Sequence, residues 1–104
     1  MLSDVKRIIS EGHLGVGTYD EFTQACLQKA ATGEEDAVAL FVLAKIVQPF
    51  SEYYFDQALS EATSAAFRRE ILETIEAYDS AGSLADKNAV LASAIQKSLA
   101  TAEG

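Results

Sequence analysis

What this chain of 104 residues has little of narrows its chemistry first. It holds one cysteine, one histidine, one proline and no tryptophan. A lone Cys26 cannot close an intramolecular disulfide, and a lone His13 leaves no imidazole and thiolate set for zinc. A carboxylate-bridged pair of metals needs Glu-x-x-His repeats on facing helices, which one histidine outside any helical pattern excludes. No metal and no cofactor is therefore expected. The same scarcity leaves no acid and base whose spacing marks a reaction centre, so an enzyme is not expected.

Positive charge is scarce as well: eight Lys and Arg stand against sixteen Asp and Glu, a net charge of −8. Such a field repels nucleic acid and anionic membranes, and neither is expected as a direct partner. Most of the excess lies in residues 49–82, where seven acids meet only Arg68 and Arg69. Long apolar runs are missing too. The most apolar stretch, 37–47, is about half the length that spans a bilayer and contains Lys45. The first residues carry Asp4, Lys6 and Arg7 where a secretion signal needs an unbroken apolar region. With the lone cysteine, these features point to the cytoplasm.

What is present is helical pattern. Alternation of apolar and polar residues is absent, so the fold class is all-α: a single domain over 1–104, built as one bundle of about five helices. A chain of this size buries roughly 65% of its unfolded surface without a staple. Residues 3–11 place Leu2, Val5, Ile8 and Ile9 on one face. The loop GHLGVG follows; it leaves a helix and no Lys comes after it, which argues against a phosphate cradle. Thr18 and Glu21 then read as a capping box opening a helix to about residue 32, with Tyr19, Phe22, Cys26 and Ala30 inward. Cys26 on that stripe is a buried apolar group rather than a nucleophile. Gly33 supplies a left-handed terminator, and Glu34, Glu35 and Asp36 suit the first turn of the next helix. Residues 37–47 are apolar nearly all round, the pattern of a central helix wrapped by others. Pro49 should turn or kink the chain. At the other end, Ser83 suits a helix start, with Leu84, Leu91, Ile95 and Leu99 marking the buried side to about 102.

Between these lies the stretch around which the rest is organised, a long central helix expected over about 50–80. Read as one helix it carries two stripes on nearly opposite sides: Phe55, Ala58, Leu59, Ala62 and Ala66 on one, and Phe67, Ile71, Ile75 and Tyr78 on the other. Either the helix bends or breaks within 60–66, or one stripe is covered by something outside its own core. That segment has no Pro or Gly to force a break, which favours a continuous helix and a partner surface. Four aromatics, Phe50, Tyr53, Tyr54 and Phe55, crowd its start and cannot all point inward.

The sequence thus reads as a non-enzymatic helical interaction module, a small regulator or adaptor. Tyr53, Tyr54, Phe67, Ile71 and Ile75 are its expected partner-binding residues. A homodimer through the long helix covers the second stripe most economically, and another protein is the remaining partner. The alternative is a small-molecule-binding bundle in which Tyr53, Tyr54 and His13 line a cavity between helices.

Overall fold

The computed structural model describes residues 2–33 and 35–103, the side chains of 101–103 excepted. Five α-helices and no strand occupy these residues: α1 (Ser3–Glu11), α2 (Val16–Ala31), α3 (Ala37–Tyr53), α4 (Glu61–Ser80) and α5 (Leu84–Glu103). The all-α bundle read from the sequence is what the chain forms. Glu34, in the acidic run before α3, lies outside the described residues.

The core forms where apolar residues recur at three and four positions. Tyr19, Phe22 and Cys26 on α2 face Leu40, Leu43 and Val47 on α3, and Ala39 and Ala44 let these two helices approach closely. Leu2, Val5 and Ile9 of α1 cover one end, while Ile71, Ile75 and Tyr78 of α4 close another side. Each fully buried side chain of this size contributes about 1.5–3 kcal/mol relative to exposure. Two surface ion pairs, Asp4 with Lys29 (3.1 Å) and Lys6 with Glu76 (3.3 Å), lie across the seams of α1 with α2 and α4. Both include exposed groups and are worth little.

The long helix over 50–80 is not formed. Instead α3 runs through Pro49 to Tyr53, residues 54–60 turn back, and α4 starts at Glu61. Pro49 is tolerated because it sits just before the last turn, where its missing N–H removes a single bond. That turn is held by the Phe50 ring, stacked on Phe67 at 3.9 Å and 4°, and by Ser51 Oγ donating to the Gln48 carbonyl at 3.0 Å. The break needs neither Pro nor Gly. Ser60, extended at φ −71° and ψ 151°, accepts the Thr63 N–H at 3.1 Å and caps α4. The first stripe is thereby divided: Phe55, Ala58 and Leu59 fall in the turn, Ala62 and Ala66 stay exposed on α4, and α4 turns the second stripe onto the core.

Three smaller departures follow from packing. The second helix begins at Val16, before the Thr18 box, and Thr18 is buried. Its N-cap Gly15 donates to His13 Nδ1 at 3.0 Å. Gly12 has an ordinary φ of −74° but no room: a Cβ there would meet Thr18 Cγ2 at 2.5 Å and the Ile8 carbonyl oxygen at 2.8 Å. Arg68, one of the two cations in the acidic 49–82 stretch, is half-buried. Its guanidinium donates to the carbonyls of Ser10 and Gly12, so a cation from α4 holds the C-terminal end of α1. Gly33, by contrast, has the expected left-handed φ of 75°.

Replacing Ile75 with Ala should lower the unfolding free energy by about 2–5 kcal/mol, and Gly12→Ala by about 1–3 kcal/mol through overpacking. Denaturant titration followed by circular dichroism checks both; an unchanged midpoint for Ile75→Ala contradicts its place in the core.

Candidate functional site

The residues expected to meet a partner are mostly spent inside the monomer. Ile71 and Ile75 are buried in the core, and Phe67 lies between Phe50 and Tyr19, whose ring stands edge-on at 5.4 Å. That part of the expected surface is corrected, because the chain reverses at 54–60 and covers the second stripe with its own helices. Tyr54 is half-buried against Phe50 at 4.8 Å. Tyr53 stands in solvent, edge-on to Tyr54, and Phe55 beyond it is 83% exposed. His13 sits in the α1–α2 loop with its Nδ1 engaged by Gly15.

Below these rings the interior is tied by hydroxyls. Tyr19 donates to the Ser64 carbonyl at 2.7 Å and lies 2.8 Å from its Oγ, which donates to the Leu14 carbonyl at 2.7 Å. Ser64 is fully buried, and each of its polar atoms in this link is satisfied. Burial pushes the Cys26 thiol up to about 12, with Lys29 pulling weakly the other way. It is therefore protonated and shielded at neutral pH, the opposite of an activated nucleophile. Burial also pushes the Tyr78 phenol up to about 12, helped by the hydrogen bond it donates to Asp36 at 3.1 Å. Among the described residues no group of three or more His, Cys, Asp or Glu is placed to hold a metal ion. Nor is any helix there long and apolar enough to cross a membrane.

The uncovered apolar surface lies elsewhere, between α3 and α5. The 37–47 stretch is apolar all round, but four companion helices do not surround it. Val38 is 71% exposed and Phe41 50%. Across from them, α5 buries Leu91, while Leu84, Ile95 and Leu99, expected on the buried side, are exposed. An open groove of about 310 Å³ results, lined by Phe41, Val42, Lys45 and Ile46 from α3 and by Ile95, Ser98 and Leu99 from α5. Lys45 reaches back one turn over the Phe41 ring, its Nζ 5.3 Å from the centroid. One ammonium and one hydroxyl in an apolar trough supply no general base, nucleophile or oxyanion donor set; they suit contact with another apolar surface.

The sequence held a signal for this face. Residues 37–51 and 87–102 contain no acid at all, in a chain with sixteen. An apolar helix needs neighbours on every side, and here α2 packs extensively on α3 while α5 covers it only in part.

No family model matches this chain, and neither a curated protein nor a solved structure matches it.

Cys26 and Tyr78 keep their protons when folded at pH values where the unfolded chain, with ordinary values of 9.0 and 10.0, releases them. The folded state then binds more protons, so their contribution is fully present below about pH 9 and is lost as pH rises towards 12. The denaturation midpoint should fall across pH 9–11, and Cys26→Ala should flatten that slope; equal slopes for the two proteins contradict the burial of the thiol.

Proposed function

We propose that this chain is a non-enzymatic helical protein-interaction module, of the regulator or adaptor kind, whose contact surface is the α3–α5 face. One observation carries the reading: Phe41, Ile95 and Leu99 stand in solvent together around a groove of about 310 Å³. Folded monomers scatter such side chains singly, and a contiguous apolar patch marks an interaction site. The partner is a second copy or another protein. Nucleic acid is not proposed, because the net charge of −8 opposes it. A reducing compartment, the cytoplasm, fits a cysteine kept as a buried free thiol.

Binding of a small molecule is a second reading, favoured by the groove volume, which lies at the lower end of the range for ligand pockets. It draws on the α3–α5 trough and not on Tyr53, Tyr54 and His13. Stabilisation that grows with ligand concentration in a thermal-shift screen separates it from the first.

Because Phe41 and Leu99 are half or more exposed, Phe41→Asp and Leu99→Asp should each change stability by no more than about 1 kcal/mol. Used as bait, the full chain should retain a protein, or itself, and each variant should weaken that association at least about tenfold. If wild type and variants bind alike, or bind nothing and show no self-association, the interaction reading fails.

A further inference from the structure

We propose that the occupant of the α3–α5 face is a second copy of this chain, docked about a two-fold axis with α5 of one copy antiparallel to α5 of the other. The proposal rests on the reading of that face as an interaction surface and names its partner.

The first support is area. A folded monomer of 11.1 kDa exposes about 5,700 Å². This chain exposes 6319 Å², about 600 Å² more. Its radius of gyration, 13.1 Å, is that of a compact domain of this length, and its extents of 39 × 28 × 20 Å account for part of the difference. The excess approaches the roughly 800 Å² that each partner contributes to a standard interface.

Self-complementarity is the second support. Leu84, Asn88, Ala92, Ile95 and Leu99 recur at three and four residues along α5, and all five are exposed. Turned end for end about the midpoint between Leu91 and Ala92, this stripe meets itself: Leu84 lies opposite Leu99, and Asn88 opposite Ile95. Ala92 at the crossing, with Ala85 and Ala89 beside it, allows the helix axes to approach near the lower end of the usual 8–10 Å. Leu84 and Leu99 are about 22 Å apart along the helix, at 1.5 Å per residue, long enough for a continuous seam. A two-fold axis makes every contact occur twice and closes the assembly at two copies.

Charge is the third. Two chains of −8 repel each other, and a face suited to self-association must keep carboxylates out of the contact. The acid-free segments 37–51 and 87–102 are the ones that line this face. Added salt should consequently tighten the dimer by screening the net repulsion, whereas an oppositely charged partner would be weakened by it.

The test is solution mass by light scattering over a dilution series at low and high salt, on the full chain and on Leu99→Glu, with circular dichroism to confirm that the variant is folded. Expected are twice the monomer mass for the wild type, tightening with salt, and the monomer mass for Leu99→Glu. Independently, Ala92→Cys, at the two-fold axis, should give a covalent dimer under mild oxidation, and Thr63→Cys on exposed α4 should not. A monomer at every concentration without cross-linking through position 92 overturns the second-copy proposal; if the bait experiment still shows capture that depends on Phe41, the interaction reading survives and the partner is a different protein. A dimer that persists in Leu99→Glu overturns it as well, by placing self-association on another surface.

Discussion

Tyr19 is the point on which the bundle depends. Its ring stands edge-on to Phe50 and Phe67, at 5.0 and 5.4 Å, and its hydroxyl reaches the Ser64 backbone. One side chain on α2 thereby fixes the end of α3, the first turns of α4 and, through Ser64, the loop at Leu14. A buried phenol needs a partner for its hydroxyl, and here the partner is a small residue on a helix that must come close enough to be reached. That requirement is met only if the chain reverses between Tyr53 and Glu61. The reversal in turn brings Phe67, Ile71 and Ile75 inward, and so decides which apolar stripe the molecule keeps for itself.

Much of the fold is legible in the sequence because local rules and packing agree there. Gly33, Ser83 and the inward stripes of α1 and α2 follow from periodicity and capping alone. The failure over 50–80 has a specific cause. Proline is the obvious breaker in this stretch, yet Pro49 is absorbed near the end of α3 while Ser60, with Thr63 at the third position, opens a new helix. Periodicity over 50–80 does show two incompatible stripes; it does not say whether a loop or a partner resolves them. The α1–α2 loop hides for a different reason: Gly12 and Arg68 are 56 residues apart, and nothing local in either reveals that a guanidinium will collect carbonyls at the end of another helix.

The apolar face was half legible. Residues 37–47 announce a helix that wants to be covered, and the leucines of α5 announce a helix that would cover something. Which of these surfaces are satisfied within one chain is a question of geometry, since α5 brings Leu91 and half-buried Val90 to the core and leaves its other large apolar side chains outside. Charge carries complementary information: acids crowd the surface of α4 and leave the middle of α3 and α5 bare. Composition by segment thus separates the solvated side of the bundle from the side that is not finished by the monomer.

The sparse burial along α5 also has a meaning in time. A helix whose one buried large side chain is Leu91, with the Lys87 ammonium on the Tyr78 carbonyl, opens at a lower free energy than the α2–α3 pair, so its amides exchange with solvent before those of the core. The bundle is therefore graded: its most durable part is the α2–α3 pair, and α5 can open while that pair stays closed.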